Sequence, residues 1–171
     1  MNVCVNIIAK RSGYMKKTVH TEMTLISSRG KERVPATIRY TEDEKTFYPE
    51  SEIILIFDGK EYKGQGTDYL LVDTYADLQN KLPDGVKIAC CMTCRHGNMC
   101  PYGTDIHQLF CTEGIVINSK DDMCDFCALF TNQEWYSKYE VLAYNCCDKF
   151  VYQSDDYYTY NDFLCWLNKK Q

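Results

Sequence analysis

Seven of the chain's eleven cysteines fall between Cys90 and Cys127. Reduced sulfur at that density does three kinds of chemistry: it holds a soft metal ion, carries an iron–sulfur cluster, or cycles through a disulfide. The stretch opens Cys90-Cys91-Met92-Thr93-Cys94-Arg95-His96-Gly97-Asn98-Met99-Cys100. Within it Cys91 and Cys94 form a C-x-x-C pair whose turn aims two thiolates at one ion, and Gly97 follows where such a knuckle calls for positive φ. Zinc asks for four such ligands in a tetrahedron at about 2.3 Å. The competing assignment is two half-buried core thiols, since cysteine is among the most buried residue types.

The remaining ligands must come from farther along. Cys124-Asp125-Phe126-Cys127 repeats the spacing at a ribbon-like separation from the first pair. Its context competes, because Ser119 to Asp122 has the form of a capping box, after which Met123, Cys127 and Phe130 share one helical face. On that reading Cys127 is core and Cys124 flanks it; Cys165, between Phe163 and Trp166, is core in the same way. Cys111 precedes an expected strand, Ile115-Val116-Ile117, and Cys146-Cys147 end another, Val141 to Asn145. Neighbours on a strand face opposite ways, so at most one of Cys146 and Cys147 readily joins a site. Cys100, Cys124, Cys127 and Cys146 therefore compete with any ligand set drawn from the others. His96 beside the pair is a candidate ligand or supporting donor, more simply a solvated side chain. His107 reads as loop surface.

Cys91-Met92-Thr93-Cys94, then Pro101-Tyr102-Gly103, then Leu109-Phe110-Cys111 resembles a little-characterised bacterial family with the pattern C-x-T-C…S-P-Y-G…M-C-F. In that family a helical segment follows, and a strand then ends in a fourth cysteine just before an acidic residue and phenylalanine; Cys147-Asp148-Lys149-Phe150 fits that element better than Cys146. The resemblance spans residues 91 to 150 and implies Cys91, Cys94, Cys111 and Cys147 as the four metal ligands, with no established activity attached. Cys100, Cys124 and Cys127 depart from the pattern. Cys91-x-x-Cys94-x5-Cys100 also resembles the auxiliary-cluster motif of some radical enzymes, which implies an iron–sulfur cluster, although Pro101-Tyr102-Gly103-Thr104 offers no further cysteine. A thioredoxin-type redox pair would need a helix starting at the pair, which Gly97 and Pro101 oppose.

An odd cysteine count, with no basic lead-in or apolar run at Met1–Lys10, points to a reducing cytoplasm, where clustered thiols are metal ligands more often than disulfides. Formal charge is −5; four thiolates and one Zn2+ change it by −4 and +2, to −7. So acidic a chain lacks the footprint of a nucleic-acid binder, and no run reaches the ~18 apolar residues of a membrane span. G-x-S-x-G, G-x-x-x-x-G-K-[ST] and H-E-x-x-H are all absent. Gly64-Gln65-Gly66-Thr67 precedes an expected strand and is a poor phosphate loop. A protein partner fits the remaining evidence better than catalysis, and no small-molecule substrate is indicated.

The elements that must position this sulfur read as one α+β domain over residues 1–171. It is mostly antiparallel sheet with three short helices, and carries a cysteine-rich, zinc-knuckle-like insertion over residues 90–127. Alternating apolar residues at Val3–Ile7, Met23–Ile26, Val34–Tyr40 and Ile53–Phe57 mark strands, with turns at Ser27–Gly30 and Asp58-Gly59. Tyr69-Leu70-Leu71-Val72 closes the strand series, and Tyr139 to Val151 is strand-rich. Hydroxyl-to-acid spacings at Thr74–Asp77, Ser119–Asp122 and Thr159–Asp162 predict three capping-box helix starts, the first helix stopped by Pro83-Asp84-Gly85. The expected function is an intracellular zinc protein with a structural tetrathiolate centre in a binding module, the alternative being an iron–sulfur or thiol redox protein.

Overall fold

The computed structural model describes residues 4–11, 14–43, 50–67, 71–103, 108–129 and 133–169. Five antiparallel strands follow one another: β1 (Cys4–Arg11), β2 (Tyr14–Ser27), β3 (Gly30–Asp43), β4 (Ser51–Phe57) and β5 (Lys60–Gly66). The period-two pattern explains why they pair. Val34, Ala36, Ile38 and Tyr40 on β3 and Ile53, Leu55 and Phe57 on β4 are buried, while their neighbours are not. Asp58 and Gly59 turn the β4–β5 hairpin with φ of 51° and 73°, the paired positive values that match strand twist. A short β6 (Lys87–Ala89) pairs with Thr24–Ile26 of β2, on the same edge that β1 covers farther back.

Helix α1 (Val72–Gln79) lies on β5. A Cβ on Gly64 would overlap the Thr74 carbonyl, and one on Gly66 the Asp73 carboxylate. The G-x-G of this segment therefore serves close helix-on-strand packing. Asp77 accepts from the Gln65 backbone N–H at 2.8 Å and from Lys81 at 2.7 Å. Tyr75 and Leu78 complete a core with Met23, Leu25, Ile38, Ile53, Leu55 and Ile88.

A second sheet of three strands, β7 (Gly97–Asn98), β8 (Gln108–Cys111) and β9 (Glu140–Leu142), stands apart from the first, in the order β7-β8-β9. With it come α2 (Lys120–Ala128), α3 (Gln133–Tyr139) and α4 (Phe163–Asn168). A separate apolar cluster of Phe110, Ile117, Met123, Phe126 and Cys127 lies here.

The α+β class is thus observed, among the described residues, as a curled antiparallel sheet with four helices where three were expected. Other expectations fail for local reasons. Leu71 and Val72 are not strand: Leu71 takes φ 61° as the N-cap of α1, while Tyr69 and Leu70 lie outside the described residues. Thr74 caps nothing, because it sits inside α1 with its hydroxyl 2.5 Å from that of Ser51. Helix α1 ends at Gln79, before Pro83. Ser119 does cap α2, accepting the Asp122 N–H at 3.1 Å, but Asp122 reaches back to the N–H of Asn118. Thr159 donates to the Arg95 carbonyl instead of starting a helix, and α4 begins at Phe163, where Asn161 accepts its N–H. Ile115–Ile117 is irregular, and the strand expected from Val141 to Asn145 ends at Leu142. Among the described residues no helix is long and apolar enough to cross a membrane.

Candidate metal centre

Strand β6 delivers the chain into a 3-10 turn, Cys91–Thr93. Thr93, fully buried, holds the turn: its hydroxyl donates to the Ile88 carbonyl at 2.7 Å and accepts the Cys90 N–H at 3.2 Å. The Cys94 N–H then bonds to the Cys91 carbonyl at 3.3 Å and the Gly97 N–H to the Cys94 carbonyl at 2.9 Å. Gly97 does not take positive φ as the knuckle expectation required. What excludes a side chain there is proximity, since a Cβ would overlap the Cys91 carbonyl.

The turn is suspended from the segment after β9. The Cys91 N–H meets the Asn145 carbonyl at 2.6 Å, Met92 N–H the Ala143 carbonyl at 3.0 Å, and Arg95 N–H the Val151 carbonyl at 2.9 Å. Gln153 donates from its side chain to the Met92 carbonyl at 2.9 Å. These bonds carry the 143–153 segment, and Cys147 with it, alongside Cys91 and Cys94. The third stretch arrives through β7–β8 pairing, in which Gly97 stands opposite Cys111.

The result is a pocket of about 110 Å3 lined by Cys91, Cys94, Cys111 and Cys147, with His96, Gly97, Glu113, Val141 and Lys149 around them. All four residues expected as ligands meet at one place. Cys94 is buried, Cys91 and Cys111 half-buried, and Cys147 exposed, so the pocket opens on the Cys147 side. Burial and then the neighbouring sulfurs, among them Cys94, Cys111 and Cys147, push the Cys91 thiol well above its ordinary value. Burial also raises Cys94, opposed by backbone N–H bonds from His96 and Val151 to its sulfur. Lys149 stands at the rim in an ion pair with Glu113 at 2.9 Å. Among the described residues, no group of three or more His, Cys, Asp or Glu side chains meets the geometry of a metal site.

The competing cysteines are sorted by direction. Cys146 faces the other way from Cys147, toward Thr24 and Cys90. Cys90 is fully buried, and desolvation lifts its thiol to about 12. Cys165 is exposed, contrary to the core role expected from its apolar neighbours. None of the ten cysteines from Cys90 to Cys165 is in a disulfide. His96 stacks edge-on against Tyr157 with ring centroids 5.8 Å apart, and its Nδ1 is buried without a partner. Burial and the adjacent Arg95 hold its pKa below the ordinary value. His107 lies outside the described residues.

Cys94 has extended backbone at φ −86° and ψ 137°, so no α-helix begins at the C-x-x-C. The helix N-terminus that lowers a redox thiol's pKa is therefore missing from this pair. A larger groove of about 850 Å3 crosses the face near Lys16, Lys17, Arg39, Glu50 and Glu52. It holds no cysteine or histidine, and Arg39 is paired with Glu52 at 2.7 Å; its size outranks the sulfur pocket but its chemistry does not. Comparison with known protein families, with curated proteins and with solved structures finds no match.

Proposed function

We propose that this chain is a zinc-binding protein in which Cys91, Cys94, Cys111 and Cys147 hold one structural ion, within a module that engages a protein partner rather than transforming a substrate. The observation supporting this reading is convergence: four cysteines from three separate stretches line one small pocket. Four thiolates complete zinc's tetrahedron and leave no position for water or substrate, so the ion contributes folding free energy and not Lewis-acid chemistry. Binding releases the thiol protons to solvent. The desolvation and mutual repulsion that raise Cys91 are reversed by a dication at the centre.

Closing the site requires the sulfurs to turn inward. A rotamer change costs about 1 kcal/mol, small against the apparent ~10–16 kcal/mol of structural zinc in finger peptides. The backbone N–H bonds to the Cys94 sulfur spread the charge of a site that carries −2 with its ion.

The test is elemental analysis of the purified protein and of Cys91→Ser and Cys147→Ser. Each variant is expected to lose one equivalent of zinc. Chelation is expected to lower the thermal midpoint by about 10 °C, which corresponds to a few kcal/mol in a chain of this length. Zinc content unchanged in both variants would overturn the proposal, and iron with visible colour would favour the iron–sulfur alternative.

A further inference from the structure

Three of the cysteines outside the first pocket, Cys100, Cys124 and Cys127, are not scattered. Cys124 and Cys127 stand three apart on α2, where side chains share a face, and Cys100 packs against the cluster that contains Cys127. The thiol of Cys127 feels those of Cys100 and Cys124, and the exposed Tyr102 feels Cys124. From sequence the C-x-x-C of Cys124 and Cys127 had to compete with the helix that contains it. The structure shows that helix, with Cys127 in its apolar cluster and Cys124 half-buried beside it, and three-residue spacing keeps the two on one face, the face of the cluster on which Cys100 packs.

The two sulfur groups lie on opposite faces of the small sheet. Leu109 and its cross-strand neighbour Val141 pack into the large core, and Val141 and Cys111 both line the first pocket. Phe110, one residue along, belongs to the second apolar cluster with Cys127. Alternation along β8 therefore sends Cys111 to one side and Phe110 to the other. The electrostatic neighbours agree: Cys91 is influenced by Cys94, Cys111 and Cys147, and Cys127 by Cys100 and Cys124.

We infer that Cys100, Cys124 and Cys127 form a second metal site, a three-thiolate centre for a soft divalent cation that is independent of the first. Three protein ligands leave one position of a tetrahedron for water or an external ligand, an arrangement unlike the closed four-sulfur centre. Loading deprotonates the three thiols and leaves a net charge of −1 beside the half-buried Cys124.

Cobalt(II) is the probe, because it occupies zinc sites and its bond to thiolate gives a charge-transfer absorbance. The wild-type chain is expected to bind two equivalents with that signature. Cys91→Ser/Cys147→Ser is expected to retain one, and adding Cys124→Ser to abolish it. Cys124 is outside the buried core, so the substitution leaves α2 packed, and far-ultraviolet circular dichroism checks that each variant is folded. A folded Cys91→Ser/Cys147→Ser variant with no cobalt–thiolate band overturns the inference, as does a band that survives when Cys124→Ser and Cys100→Ser are added to that variant. A Cys100–Cys127 disulfide in the mass spectrum of metal-free protein prepared under reductant would overturn it too. The first centre is read independently, from loss in Cys147→Ser alone, so the two proposals fail separately.

Discussion

Two residues fix the turn that carries the first pair of sulfurs, and both act through backbone contacts. At Gly97 the constraint is space, since any side chain meets the Cys91 carbonyl. Gly97→Ala is expected to destabilise the fold by about 3 kcal/mol, at the upper end of overpacking costs, measured by urea denaturation. Thr93→Val keeps shape but removes the hydroxyl that satisfies Cys90 N–H and Ile88 O in a fully buried place. About 2 kcal/mol is expected from the orphaned groups, and the same variant should weaken zinc retention against a competing chelator. That Cys91 and Cys94 stand together on a turn was legible in the sequence; the reason for Gly97 was not. Positive φ is the usual demand on such a glycine, whereas this one answers to an oxygen that only the folded turn brings near.

At the scale of elements, strands were easier to read than helix starts. Alternation over Val34–Tyr40 and Ile53–Phe57 reports burial directly, because every second side chain enters the core. Capping boxes rest on four residues, and tertiary hydrogen bonds claimed two of the three: Thr74 by Ser51, Thr159 by the Arg95 carbonyl. Ser119 kept its role, and Ser119→Ala is expected to cost about 1 kcal/mol of stability. A cross-strand prediction concerns Glu52, which joins Arg39 on β3 and Lys63 on β5. The Lys63 hydrogen bond is the main reason its pKa lies below the ordinary carboxylate value. A carboxylate lowered in this way stabilises the fold above its unfolded pKa and loses that contribution as pH falls through the lowered value. Glu52→Gln should therefore cost about 1 kcal/mol at neutral pH, limited by partners that are roughly half exposed. The gap from wild type should close below pH ~4, as thermal melts across pH would register.

Over the whole molecule, the sulfurs of the first pocket lie on short segments that follow the six-stranded sheet in the chain. Which of Cys146 and Cys147 joins the pocket could be narrowed from sequence to one of two, and resemblance favoured Cys147. The face each takes depends on the backbone bonds of Cys91 and Met92 to residues 145 and 143, which no local pattern encodes. The pairing of Cys100 with the α2 cysteines was hidden for the same reason. Strand β8 then imposes a rule of parity on the gene. Inserting or deleting one codon within Gln108–Cys111 would exchange the faces of Cys111 and Phe110, carrying a thiol into the apolar cluster and an aromatic ring to the other three sulfurs. Length variants that keep both sulfur groups should therefore change this strand by even numbers of residues or by none, and place odd changes in the loops.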